Sequence, residues 1–310
     1  MISVIGWRLL AAIPVLLGVA TLVFVILYLI PGDPVAIMLE GAPTSPEIQA
    51  QLREQLGLDR PLAVQYLVFL ADLLRFDLGQ SITTGEPVTA MVLDQLPFTL
   101  ALTGAASAIA LPIGLFAGVW GAVRRDTWID NGLRNVELVG LAMPQFWIGI
   151  LLIVVFSLQL GWVPATGSGG WQRLVLPSVT LALPAIAMVA RLTRDGLVAA
   201  MSEQYVMTAR SKGLAENVVV FKHALRNALL PAITIAGVVI GNMLAGAVVI
   251  ETVFSRPGIG RMTVRAINQQ NIPVVQGGVL VAAIGYVFVN LVVDVLYSVV
   301  DPRVRKRASA

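Results

Sequence analysis

The sequence predicts an all-α membrane protein with six transmembrane helices and a small helical external segment between spans 1 and 2. Three observations carry that reading. Apolar residues make up 57% of the 310 positions and charged residues only 13%, against about a quarter charged in a soluble domain. The apolar residues are gathered into long runs without a single charge. The basic residues are spread unevenly over the segments between those runs.

The runs are Leu9–Ile30, Pro97–Val123, Leu138–Leu160, Leu174–Ala190, Asn227–Ile250 and Ile272–Val293, and they hold 22, 27, 23, 17, 24 and 22 residues. A helix crosses the hydrocarbon core with about 20 apolar residues, in a range of roughly 17–25. Within lipid the backbone must satisfy its own hydrogen bonds, so uncharged runs of this length are helices. Strands of a membrane barrel would be about ten residues long and alternating. The first run exceeds the apolar core of a typical signal peptide and leads into Pro31, Gly32, Asp33 and Pro34 without a small-x-small cleavage site. It is read as a retained span. The whole chain, 1–310, is read as a single transmembrane domain.

Six spans place both termini on one side. The segments 1–8, 124–137, 191–226 and 294–310 carry 14 of the 21 Lys and Arg residues. The positive-inside rule makes that side the cytoplasm. The external segment 31–96 has three basic and nine acidic residues. Ser45, Pro46 and Glu47 spell a helix start and Gly57 a stop. Leu62 to Arg75 has the spacing of an amphipathic helix with Leu67, Leu70, Leu73 and Leu74 on its apolar side. The pair reads as a small helical cap outside the membrane. The cytoplasmic segment 191–226 reads as two short helices, one from Ser202 and Glu203 to Gly213 and one from about Glu216 into the fifth span.

The residues exclude several chemistries. There is no cysteine, and the single histidine, His223, lies among basic residues, so thiolate, multi-histidine and Ser-His-Asp sites are absent. No phosphate-binding loop sequence occurs. The chain is therefore expected to bind no cofactor and to catalyse nothing. An ion-driven secondary transporter would place ionisable groups near the bilayer midplane, and the six runs hold none. Gln145, Asn242 and Asn290 are the polar residues at depth. They suit interhelical hydrogen bonds and the lining of a polar path equally well. Glu251 to Arg261 follows the fifth span, and its Pro257, Gly258 and Gly260 favour a bent, non-helical path. It reads either as a plain surface turn or as part of the outer mouth.

The stretch from Glu203 through Tyr205, Ala209, Arg210 and Lys212 to Gly213, followed by His223, Arg226, Asn227 and Pro231, resembles the cytoplasmic loop of binding-protein-dependent ABC importer permeases. It is most similar to the first permease subunit of the dipeptide, oligopeptide, glutathione and nickel subfamily. Further similarity covers nearly the whole chain: Pro31 to Pro34, Leu56 to Pro61, Asp77 to Ser81, Leu176 to Leu181, Glu251 to Phe254, Pro257 to Arg261 and Asp301 to Arg303. One departure stands out. The family's Glu-Ala-Ala positions are Met207, Thr208 and Ala209 here.

The resemblance implies a type I ABC importer permease fold in a bacterial or archaeal inner membrane and ATP-driven import of short peptides, or of glutathione or nickel. It implies a homologous second permease subunit, two ATPase subunits that hold ATP and Mg, an extracytoplasmic solute-binding protein, a lipid surround and no nucleic acid. The helix from Glu203 to Gly213 is expected to dock on an ATPase subunit. Tyr205, Ala209 and Lys212 lie about a turn apart, as if on one docking face. Arg210 and Lys212 are expected to pair with acidic groups there, and Gly213 to supply a left-handed stop. A helix whose basic residues touch lipid headgroups is the alternative. The resemblance favours the outer-mouth reading of Glu251 to Arg261.

Overall fold

The computed structural model describes residues 2–29, 35, 39, 45–55, 57–167 and 169–300. Pro31 to Pro34 and the tail from Asp301 lie outside the described residues. The elements are helices: α1 (Ile2–Leu29), α2 (Pro46–Gln55), α3 (Leu62–Leu74), α4 (Val88–Val123), α5 (Trp128–Ala142), α6 (Gln145–Leu152), α7 (Gln172–Met201), α8 (Gln204–Ser211), α9 (Glu216–Val218), α10 (Leu225–Val253), α11 (Ile259–Asn268) and α12 (Ile272–Val300). Two π-helical segments, Ile153–Gln159 and Val219–Ala224, extend α6 and lead into α10.

Among the described residues five helices are long and apolar enough to cross a membrane, and a sixth span arises only if α5 and the α6 arm are counted together across a 102° bend. The apolar run Leu138–Leu160, read from sequence as one straight span, is therefore broken. Pro144 is the cause. It lacks the N–H that a continuing helix needs, and it forces its predecessor out of the helical region. Met143 is extended (φ −79°, ψ 132°), as is Pro144 itself (φ −62°, ψ 131°).

The chain divides into two compact units. The first comprises Met1–Leu9, Leu100–Arg256 and Tyr286–Ala310. Its core joins Leu102, Ala106 and Ala110 of α4, Leu181, Ala185 and Val189 of α7, and Val239, Met243, Ala247 and Ile250 of α10. Glycines let these helices approach closely, as small residues do in membranes. A Cβ on Gly114 would lie 2.7 Å from Val189, and one on Gly118 would collide with the Ala190 carbonyl oxygen. Four residues apart, the two glycines form one flat stripe of α4 against α7. Gly237 and Gly241 do the same on α10 against Val293 and Tyr286 of α12, where a Cβ would come within 2.6 Å.

The second unit comprises Leu10–Thr99 and Pro257–Gly285. Val23, Val88, Val92, Ile259, Ala266, Val274 and Val275 form its core. Ser45 caps α2, its hydroxyl accepting from the Ile48 N–H at 3.4 Å, and Gly57 adopts φ +67° after that helix. In α3 the leucines expected to pack do not act together. Leu70 and Leu73 are half-buried, whereas Leu67 and Leu74 are 64% and 83% exposed. The inward face is set instead by Tyr66 and Phe69, whose ring centroids lie 5.3 and 5.6 Å from that of Phe24 in α1.

Candidate functional site

The segment from α7 to α10 forms an elbow. Glu203 precedes α8 with extended backbone (φ −73°, ψ 149°). After α8, Gly213 takes φ +76°, a conformation costly for any residue with a Cβ. Its N–H donates to the Arg210 carbonyl at 2.9 Å, and the Leu214 N–H donates to the Ala209 carbonyl at 3.4 Å. These two bonds are the Schellman termination that satisfies the last carbonyls of a helix. Arg210 then fastens the stop: its Nη2 and Nε donate to the two carboxylate oxygens of Glu216 at 2.5 and 3.1 Å. This pairing holds the Glu216 carboxyl below the usual range and raises the Arg210 guanidinium.

One expectation is corrected here. Ala209 does not share an exposed face with Tyr205 and Lys212. It is 6% exposed and, with fully buried Val206, packs among Ala122, Leu197, Ala200, Val219, Val220 and Ala224 of the same chain. The reason is the i, i+3 spacing of Val206 and Ala209, the two apolar positions that can reach α7 together. Arg210 is engaged with Glu216 of its own chain. The exposed surface of the elbow includes Tyr205, Met207, Thr208, Arg210, Ser211 and Lys212.

Beside the elbow's support lies an ion pair that sequence reasoning missed. Asp130 of α5 is fully buried, and Arg194 of α7 donates to its two oxygens from Nε at 2.5 Å and Nη2 at 2.6 Å. The Asp126 N–H adds a third bond at 3.1 Å. Gly121 of α4 leaves room for the pair: a Cβ there would lie 3.5 Å from Arg194 Cδ and 3.6 Å from Asp130 Oδ1. Thr127 caps α5 through the Asp130 N–H. The Thr-x-x-Asp spacing was the available signal for that helix start, but nothing in the sequence pairs positions 64 residues apart.

Glu251 is fully buried in the last turn of α10, and the Arg256 N–H donates to its carbonyl at 2.8 Å. The expected non-helical path through Arg261 is shorter than the sequence suggested. Helix α10 runs to Val253 and α11 begins at Ile259, so Gly260 lies inside a first helical turn. Side chains of α4 secure that turn: Gln95 Oε1 accepts from the Gly258 N–H and Thr99 Oγ1 from the Ile259 N–H, each at 2.9 Å. They thus serve two of the orphan amides at a helix start.

Pro257, Gly258 and Arg261 line a cavity of about 830 Å³ together with Glu86, Asp94 and Arg265. Its walls carry both signs of charge: Glu86 just before α4 and Asp94 on it, Arg261 and Arg265 on α11. Asn271 braces one edge, donating to Ser81 Oγ and Thr83 Oγ1 at 2.8 and 2.9 Å and accepting from the Ile82 N–H at 3.2 Å. The polar residues at depth do not line this cavity. Gln145 lies against Gly246 of α10, Asn242 is exposed, and Asn290 donates to the Tyr286 carbonyl of its own helix at 2.9 Å. Among the described residues no cluster of three His, Asp or Glu forms a metal site.

The sequence matches two family models, the N-terminal membrane component of binding-protein-dependent transport systems over residues 1–103 and the inner membrane component of such systems over residues 110–306. The di/tripeptide transport system permease protein DppB of Pseudomonas aeruginosa is 41% identical over 333 residues, covering 98% of this chain and 99% of that one. The glutathione transport system permease protein GsiC of Salmonella choleraesuis is 40% identical over 305 residues, with the same coverage of each. In fold the chain resembles the structure titled inward facing conformations of the MetNI methionine ABC transporter, with a TM-score of 0.56, 18% identity, and coverage of 68% of this chain and 96% of that one. Matched by family models along almost its full length, and aligned end to end with these relatives, the chain belongs to the inner membrane components of binding-protein-dependent transport systems and is a multi-pass permease subunit of that class.

Proposed function

We propose that this permease imports short peptides, glutathione among them, as one half of a translocation path whose other half is a homologous subunit. The observation that carries the cargo is the end-to-end similarity, at about 40% identity, to permeases named for di/tripeptides and for glutathione. Glutathione is itself a tripeptide, so both names describe one chemical class. The cavity bounded by Glu86, Asp94, Arg261 and Arg265 suits this cargo, because a peptide carries an ammonium and a carboxylate.

The elbow is the proposed coupling site. Its buried Val206 and Ala209 tie α8 to α7 and to the segment before α10, while Tyr205, Met207 and Lys212 face outward. A push on the exposed side is thereby delivered to membrane helices. ATPase subunits, with their ATP and Mg, would bind there on the cytoplasmic side, where the basic excess also puts both termini. A solute-binding protein would deliver cargo to the opposite face, beside Pro257 and Gly258. Titration calorimetry on the cognate binding protein tests the cargo. Binding of di- or tripeptides is expected. Binding of nickel or a sugar, with no response to peptides or glutathione, would refute it.

A further inference from the structure

Helix α3 is apolar on its outward side as well as its inward one. Its sequence, Leu62 to Leu74, holds Gln65 and Asp72 as its markedly polar side chains, and both point toward the protein. Gln65 Nε2 donates to the Arg60 and Leu58 carbonyls at 2.8 and 3.3 Å. Gln65 and Asp72 also line a cavity of about 400 Å³ with Arg60 and Gln276. The outward surface is apolar: Leu62 is 43% exposed, Leu67 64% and Leu74 83%. A surface helix in water keeps its outward face polar.

The height of α3 explains its apolar outward face. Tyr66 Oη and Thr21 Oγ1 hydrogen-bond at 2.6 Å, and Tyr66 and Phe69 pack on the Phe24 ring. Thr21 and Phe24 both lie in the apolar window Leu9–Ile26 of α1. Thr21 precedes Leu29, the last residue of α1, by eight residues, which is about 12 Å along the axis at 1.5 Å per residue. Tyr66 is thus held at a depth where the neighbouring span is in hydrocarbon. The free face of α1 at this level, Leu22, Val25, Ile26 and Leu29, is exposed and apolar like that of α3. The two surfaces are continuous in chemistry as well as in height.

We infer that α3 is a membrane-seated helix whose outward face lies among the acyl chains of the leaflet that holds the C-terminal end of α1. Apolar faces of such helices sink roughly 5–10 Å into the boundary between headgroups and chains, which fits the contact with Thr21 and Phe24. The polar segment around Gly57 to Arg60 and Asp77 is then tethered to the bilayer at its own level instead of standing clear of it. The inference requires only that the chain is a membrane protein and does not depend on its cargo.

The absence of native cysteine permits a direct test. Leu67→Cys and Leu74→Cys, with Thr84→Cys as the water-exposed reference, would carry nitroxide labels in the assembled importer, in vesicles of phosphatidylethanolamine and phosphatidylglycerol. Power saturation then measures collision with oxygen, which concentrates in lipid, and with a water-soluble nickel chelate. Both α3 labels are expected to shift to high oxygen and low nickel accessibility, opposite to Thr84→Cys. Nickel accessibility equal to the reference would put α3 in water and overturn the inference. Low accessibility to both reagents would mean that another protein covers the face, and would overturn it equally.

Discussion

Arg194→Ala leaves the Asp130 carboxylate buried with one of its three described hydrogen bonds, that from the Asp126 amide. Removing one partner of a buried ion pair costs about 3–5 kcal/mol, because the remaining charge is left uncompensated. The reverse change is expected to cost less. Asp130→Asn leaves a guanidinium that is 11% exposed and still bonded to Asp195 at 3.1 Å, so Arg194 can turn toward water. The double variant Asp130→Asn, Arg194→Ala removes both charges and should recover part of the loss, because no buried charge is then left uncompensated. The assay is thermal unfolding of the detergent-purified complex, with the four proteins compared as a double-mutant cycle. The expected order, from least to most stable, is Arg194→Ala, then Asp130→Asn, then the double variant and wild type. A coupling below about 1 kcal/mol, the level of a surface pair, would refute the claim that this pair ties α5 to α7.

Gly118→Leu should prevent α4 from closing on α7, since even a Cβ meets the Ala190 carbonyl. Overpacking costs about 1–3 kcal/mol where the backbone can yield, and more is expected here. Gly132→Leu, where a Cβ has nothing within 4 Å, should be tolerated, and equal yields of folded protein from the two variants would contradict the packing argument. On the elbow, Met207→Arg at a 60% exposed position should keep the permease folded, within roughly 0.5 kcal/mol, but lower copurification of the proposed ATPase subunits. Ala209→Trp should instead reduce the folded permease itself. Unchanged copurification with Met207→Arg would remove α8 from the coupling surface. For orientation, a membrane-impermeant maleimide should label Thr84→Cys in intact cells and spare Lys212→Cys until the membrane is opened, and the reverse pattern would invert the proposed topology.

The helices were legible because a backbone in lipid has few alternatives. The break at Met143 and Pro144 was also written in the sequence, but the unbroken apolar composition on both sides concealed it. At the elbow, helical periodicity identified faces without telling which one meets the chain's own core. The choice of Tyr205, Ala209 and Lys212 as one face overlooked the apolar pair Val206 and Ala209. In α3, counting leucines hid the part played by Tyr66 and Phe69, whose partner Phe24 lies more than forty positions away. The joining of Asp130 to Arg194, and of Asn271 to Ser81 and Thr83, is tertiary information that spacing does not carry. The turn at Gly213 was legible because a backbone constraint on one residue is local.

The central claim is that this chain moves peptides only as part of an ATP-driven machine. Uptake of a labelled tripeptide into proteoliposomes tests it most directly, comparing the complete complex plus binding protein with this subunit alone. Accumulation is expected only with the complete complex and ATP, and it should stop when ATP or the binding protein is withheld. Accumulation by the lone subunit under an imposed proton gradient, without ATP, would contradict the account.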